Sequence, residues 1–163
     1  MLINVQRYLE ANGIKYVEHC HQAVFTVAES KEVCKHIPGV HCKNLFLKDK
    51  KKDYFLVIVP TTKRVDLKLL EKELGVKKLG FGSSERLIEI LNLLPGSVSP
   101  LGLMNDKKQL VTPIIDQAVW DAAIVGFHPN ENTATLELDK ENFHKLISSF
   151  PHDVVVLDVP KKV

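Results

Sequence analysis

No run of apolar residues in this chain approaches the length that crosses a bilayer. The opening MLINVQRYLE reads as an amphipathic helix, without the marks of a secretory or transit segment, so the expectation is a cytoplasmic protein. Cysteine is scarce. Three residues at irregular spacing cannot frame a disulfide scaffold and are expected as reduced thiols. An excess of one charge is also missing: 22 basic against 20 acidic residues leave +2, so the overall field does not announce a nucleic-acid binder. There is no glycine-rich phosphate loop, no dinucleotide fingerprint, no repeat, no low-complexity segment and no interdomain linker. A nucleophile elbow and a carboxylate pair at recognisable spacing are absent too, which leaves catalysis without an obvious protein nucleophile.

With 163 residues, 45% hydrophobic and 26% charged, the chain is long enough for one buried core, and a single domain over 1–163 is expected. Val5, Tyr8 and Leu9 recur at helical spacing before Gly13, and a strand is predicted around Ile14–His19. Thr26-Val27-Ala28-Glu29 matches a capping box and predicts a helix of about ten residues to His36, stopped by Pro38-Gly39. Cys42–Lys48 and Tyr54–Pro60 flank a charged tip and predict a β-hairpin. Asp66 and Ser84 are candidate caps for helices over Leu67–Leu74 and Glu85–Asn92, with a short strand at Lys77–Gly82 between them. A strand from Gln109 to Ile115 is interrupted by Pro113, which points to an edge or a bulge. Ala122–His128 and Thr133–Leu138 predict a second hairpin, Asp139 a capped helix to Ile147, and Val154–Leu157 a buried closing strand. Such a mixture of short strands, several in hairpins, with helices between them describes an α+β domain.

Four features stand out as chemistry. Pro95-Gly96-Ser97-Val98-Ser99-Pro100 is a rigid irregular loop in which Gly96 can take positive φ and present backbone amides. Alternation puts Lys43 on the face of its strand shared with Leu45 and Leu47, towards the core side at a rim or pocket, with Asn44, Phe46 and Lys48 on the other. Lys50, Lys51 and Lys52 crowd the hairpin tip, where they could meet a phosphate backbone or simply water. Ile124, Gly126 and His128 share a face on which Gly126 leaves space beside the histidine. The clustered His19, Cys20, His21, Cys34, His36, His41 and Cys42 are a poor metal set, because Cys34 and His36 fall within a predicted helix where i,i+2 side chains diverge. No metal or other cofactor is expected.

Lys43-Asn44-Leu45-Phe46-Leu47 followed by Asp49-Lys50, the Gly96-Ser97-Val98-Ser99-Pro100 loop, and Gly126-Phe127-His128 leading to Ala134-Thr135-Leu136 together resemble the YbaK/ProX family, in order and across nearly the whole chain. The nearest likeness is to free-standing relatives of the editing insertion of bacterial prolyl-tRNA synthetase, especially those that deacylate alanyl-tRNA(Pro). The resemblance implies a mixed, largely antiparallel, barrel-like sheet surrounded by helices. It also implies hydrolysis of the ester joining a wrong amino acid to tRNA. By that resemblance Lys43 contacts the acceptor end, most plausibly a phosphate, and Gly96 and Ser97 contribute to the backbone around the scissile carbonyl. His128 shapes the catalytic pocket; Asn44, Val98, Ser99 and Pro100 bound the substrate. Thr26 and Val27 are candidate walls, and Lys50, Lys51 and Lys52 candidate tRNA contacts.

An aminoacyl ester is already activated, so a positioned water or ribose hydroxyl and a stabilised oxyanion suffice, and no protein nucleophile is needed. The implied partner is the acceptor end of tRNA(Pro), with prolyl-tRNA synthetase a further candidate and no membrane. Two other readings stand beside alanyl-tRNA(Pro) editing: deacylation of cysteinyl or seryl esters, and a non-catalytic module that binds tRNA or a synthetase.

Overall fold

The computed structural model describes the backbone of residues 1–163 and the side chains of all but Val27 and Ser30. Its elements are α1 (Ile3–Ala11), β1 (Val17–Cys20), α2 (Val27–Val33), β2 (Val40–Lys48), β3 (Tyr54–Pro60), α3 (Leu67–Leu74), β4 (Gly80–Phe81), α4 (Ser84–Leu91), a 3₁₀ turn (Pro100–Asn105), β5 (Val111–Asp116), α5 (Gln117–Asp121), β6 (Ile124–Phe127), β7 (Ala134–Asp139), α6 (Lys140–Ser149) and β8 (Val155–Leu157). The strands join in the order β1-β7-β6-β2-β3-β5-β8, with β4 added beside β2. Pairing is antiparallel at β1–β7, β6–β7, β2–β3 and β2–β4, and parallel at β2–β6, β3–β5 and β5–β8. The chain is therefore α+β, as its pattern predicts, with the mixed sheet that the resemblance implies.

Local chemistry explains most boundaries. Asp66 caps α3 by accepting from the Leu69 amide, and Asp139 caps α6 by accepting from that of Asn142. The cap of α4 is Ser83, not Ser84: its hydroxyl accepts from the Arg86 amide, so the helix starts one residue earlier. Half of the capping box is formed, with the Thr26 hydroxyl accepting from the Glu29 amide at 3.1 Å, while the Glu29 carboxylate accepts from the Phe25 amide one residue before the cap, and α2 ends at Val33 rather than His36. Helix α5 carries no side-chain cap and too few residues for a periodic signal, and it goes unforeseen.

Three expectations change in the folded sheet. Val40 and His41 extend β2 because β6 pairs with them from a distance in sequence. Pro113 lies in a strand with neighbours on both sides, yet β8 joins only from Ile114 onward, so the edge is local to the proline. The closing strand is itself an edge: Val155 is exposed and its neighbours half-buried.

Two apolar cores flank the sheet. The larger gathers Phe46, Leu56, Ile58, Phe127, Leu136 and Phe143. The smaller holds Leu47, Val57, Val59, Leu70, Ile114 and Val159, with Leu45 packed against it. Consecutive residues of β3 thus serve opposite cores, which is why Tyr54–Val59 is buried without interruption. The same holds on β2: its Lys43-Leu45-Leu47 face meets the smaller core, and Phe46 on the other face is equally buried, stacked on Tyr54 at 5.3 Å between ring centroids.

Candidate active site

Strand β2 is continuously paired to β3 through Cys42–Lys48, but its other edge is shared. The parallel ladder to β6 involves Val40 and His41, and the ladder to β4 begins only at Leu47. Between them the backbone edge at Lys43–Leu45 faces a gap in the sheet. The gap closes at its far end where the Gly82 amide donates to the Phe46 carbonyl at 2.9 Å. A Cβ on Gly82 would stand 2.5 Å from the Phe46 ring, so only glycine brings the backbone this near.

The Gly96 loop roofs this gap. Leu94 to Ser97 form a type II turn: Pro95 occupies the second position, Gly96 takes the third at φ +89°, and the Ser97 amide donates to the Leu94 carbonyl at 3.0 Å. Ser99 is fully buried and its hydroxyl accepts from the Leu101 amide, capping the 3₁₀ turn that Pro100 opens. The loop is tied to the strand by the Asn44 side-chain amide, which donates to the Val98 carbonyl at 3.3 Å.

A cavity of about 220 Å³ lies beneath, bounded by Cys42, Lys43, Asn44 and Leu45 from β2, Thr61 from the turn after β3, Gly96 and Val98 from the loop, His128, and Val24-Phe25-Thr26 ahead of α2. The Val24 segment is held by the β6–β7 connection, since the Val24 amide donates to the Asn132 carbonyl and the Asn132 side chain donates back to the Val24 carbonyl. The same connection carries His128, so two walls share one anchor. Phe25 is 69% exposed and its ring edge lies over Gly96, where a Cβ would sit 3.5 Å away.

The electrostatics are specific. Lys43 is half-buried and its ammonium pKa is lowered, first by burial and then by the nearby Arg64 cation. Among the described residues it has no carboxylate partner. The imidazole of His128 is held below its usual 6.5 chiefly by burial, with His21 and His41 adding to the effect. Its Nδ1–H donates to the Ala134 carbonyl at 3.1 Å, which leaves Nε2 as a neutral acceptor. Burial pushes the Cys42 thiol up to about 12, so this cysteine is an inert wall. Asn44 Oδ1 is buried without a hydrogen-bond partner among the described residues, an acceptor with capacity to spare at the cavity.

Lys43, Asn44, Gly96, Val98, His128 and Thr26 therefore line one space, although they are far apart in sequence. Ser97, Ser99 and Pro100 do not line it; the Ser97 amide and Ser99 hydroxyl are engaged within the loop. The amides of Gly96 and Val98 have no partner among the described residues. The side chain of Val27 lies outside the described residues. Lys50 and Lys51 stand with Lys77 around a separate hollow at the hairpin tip; Lys52 occupies the left-handed region at φ 64°. The space vacated at Gly126 does not adjoin His128 most closely: a Cβ there would meet the Thr135 methyl at 3.5 Å and the His41 ring at 3.8 Å, and His41 Nε2 donates to the Ile37 carbonyl. Val24, Phe25, Cys42, Leu45 and Thr61 went unforeseen as walls. Folding the predicted hairpin about its tip sets Thr61 opposite His41 and was the one signal within reach.

The family model of the aminoacyl-tRNA editing domain matches residues 21–146. The prolyl-tRNA editing protein ProX of Acetoanaerobium sticklandii is 34% identical over 142 residues, covering 86% of this chain and 87% of that protein. The prolyl-tRNA synthetase associated domain-containing protein 1 of Bos taurus is 38% identical over 146 residues, covering 86% and 85% respectively. A crystal structure described as a candidate trans-editing enzyme for prolyl-tRNA synthetase superposes with a TM-score of 0.73 at 19% identity, over 100% of this chain and 99% of that one, and shares its fold. With the matched span running from the strand edge before Phe25 to the last helix and taking in every wall of the cavity, the chain belongs to the aminoacyl-tRNA editing domain family.

Proposed function

We propose that this protein is an aminoacyl-tRNA deacylase that edits mischarged tRNA(Pro) in trans, with the alanyl ester as its substrate. The observation that carries the reading is the convergence of Lys43, Asn44, Gly96, Val98 and His128 on one cavity whose Cys42 thiol is held protonated. That is the equipment an activated ester requires: donors for an oxyanion and a neutral acceptor to hold water.

In this mechanism the ester carbonyl lies under the Gly96–Val98 roof, whose two free amides stabilise the tetrahedral oxyanion. Each such donor is worth on the order of 100- to 1000-fold in rate. Neutral His128 Nε2 accepts a hydrogen bond from the attacking water or ribose hydroxyl. Asn44 Oδ1 accepts from the substrate's α-ammonium. Lys43 neutralises a phosphate of the acceptor end at the rim. Ser97, Ser99 and Pro100 act by holding the roof in shape. A cavity of about 220 Å³ falls below the span of roughly 300 to 1000 Å³ usual for small-molecule pockets. It therefore takes the aminoacyl group and leaves the nucleoside at its mouth, and a small pocket favours alanine over proline, which a synthetic site sized for proline cannot strongly reject.

The lysines at the tip are the remaining part of the reading. From Lys43 to Lys50 is seven residues, about 23 Å of extended chain, so Lys50, Lys51 and Lys52 would meet the stem of the tRNA rather than its end. Handover from prolyl-tRNA synthetase, in the cytoplasm where the ester is made, fits the same logic.

The test is release of free alanine from alanyl-tRNA(Pro), with cysteinyl- and seryl-tRNA(Pro) alongside. Deacylation of the alanyl ester above the others, lost in Lys43→Ala, is the expected result; an intact ester under excess protein overturns it and leaves the non-catalytic binding module. Replacing Lys50, Lys51 and Lys52 by alanine should flatten the dependence of log K on log salt by about 2 to 3, and an unchanged slope removes them from the tRNA surface.

A further inference from the structure

A second hollow of about 270 Å³ opens beside the cavity and shares Lys43 and Leu45 with it; its other walls are Arg64, Phe81 and Lys162, with Val65 and Leu67 at the floor. Strand register explains why these residues meet. Phe81 pairs with Leu47, so its ring stands on the same face of the sheet as Lys43 and Leu45. It is 63% exposed.

The cations are assembled by backbone. Val65 forms an antiparallel bridge with Lys161, and the Lys162 amide donates to the Arg64 carbonyl at 2.8 Å, which sets Lys162 beside Arg64. Like charges placed side by side are destabilising unless something compensates them. Among the described residues neither Arg64, Lys162 nor Lys43 forms an ion pair. Asp66, two residues from Arg64 along the chain, is engaged as the cap of α3. Another hollow, at Lys31 and Lys35, differs on both counts: its ring is the His41 imidazole, committed to the Ile37 carbonyl, and Lys35 is paired with Glu32.

Three unpaired cations around one exposed aromatic ring are the recognition elements of a single polynucleotide strand, phosphates on the cations and a base on the ring. We propose that this hollow is a subsite for the nucleotide that precedes the terminal adenosine, its base stacked on Phe81 and its flanking phosphates held by Arg64 and Lys162. The proposal rests on the deacylase reading for the position of the terminal adenosine at the neighbouring cavity. It adds a direction: the strand leaves the site across β4 and the C-terminal segment, away from α2.

Binding of the unacylated trinucleotide CpCpA and of adenosine, followed by titration, tests this without depending on turnover. The wild-type protein should bind CpCpA more tightly than adenosine. Phe81→Ala should cut that gain by about five- to hundredfold, the worth of one base stack, and Phe81→Trp should restore it. Arg64→Ala should flatten the salt dependence of CpCpA binding by about 0.7. Equal affinity for CpCpA and adenosine in the wild type, or CpCpA affinity unchanged in Phe81→Ala, overturns the subsite. If CpCpA binds with this dependence on Phe81 while no aminoacyl ester is hydrolysed, the subsite stands and the deacylase reading falls.

Discussion

At the scale of single residues, the cavity works through groups whose ordinary properties have been displaced. His128 is the clearest. Its imidazole is kept neutral by burial and by the nearby His21 and His41, and its Nδ1–H is committed to the Ala134 carbonyl. Because its folded pKa lies below 6.5, the unfolded chain takes up the proton first on acidification. The stability that depends on neutral His128 is thus complete above 6.5 and declines as pH falls through 6.5 towards the folded value. Deacylation should therefore persist at pH 6.5 and lose rate with an inflection below it, and His128→Asn should slow the reaction on the order of 100-fold or more and abolish that inflection. A pH–rate profile of kcat/KM for the two proteins checks this, and an identical acid limb in both would remove His128 from the chemistry. Lys43 and His128 were legible because strand alternation and turn residues select them. Val24 was not, since it enters the cavity through a hydrogen bond to the distant Asn132 backbone, and Thr61 was within reach only by folding the predicted hairpin about its tip.

Among the elements, β2 decides the site, because it changes neighbours along its length. Where β6 leaves and β4 has not yet begun, the strand edge is open, and the Gly96 loop covers it. The gap ends at Gly82, whose amide bonds Phe46 and whose missing side chain admits the Phe46 ring. Gly82→Ala should force that ring off its stack with Tyr54 and destabilise the fold by about 1 to 3 kcal/mol, as overpacking does. Chemical denaturation should show a lowered midpoint with an unchanged m value; a midpoint equal to wild type would mean the gap has slack that the geometry denies. The hairpin, the caps at Asp66 and Asp139 and the Pro-Gly turn at Leu94–Ser97 could be read from local sequence, because each is a short-range hydrogen-bonding pattern. The meeting of β6 with β2 could not: a parallel pairing of Val40 with Val125 has no local signature.

The whole molecule is tied together by a buried ionic knot. Asp116, fully buried at the end of β5, accepts from Lys63 Nζ at 2.9 Å and from the Val159 amide at 2.9 Å, while Lys63 also reaches Asp158 and the Val159 carbonyl. This fastens the turn after β3 to β5 and to the C-terminal segment that supplies Lys162. Burial draws the Lys63 ammonium pKa down, but its bonds to Asp116 and Asp158 outweigh this and raise it. The stability it confers is then fully present below about 10.5 and is lost only as pH rises through the folded value. Lys63→Met should cost about 3 kcal/mol, near the lower bound for an orphaned buried charge because Lys63 keeps some contact with water. Adding Asp116→Asn should recover part of the loss; denaturant titration of the single and double variants decides, and a double variant no more stable than the single would show that packing, not charge, is at stake.

The sequence by itself determined the α+β class and most of the elements, and singled out Lys43, Gly96 and His128 as candidates, because period, caps and turn residues act over a few positions of chain. Only the tertiary structure decided that these residues bound one cavity, that Ser97 and Ser99 shape its roof from outside it, and that Arg64, Phe81 and Lys162 extend it. Those outcomes depend on which strands become neighbours across long stretches of chain, and that is settled by the burial of two cores against one sheet.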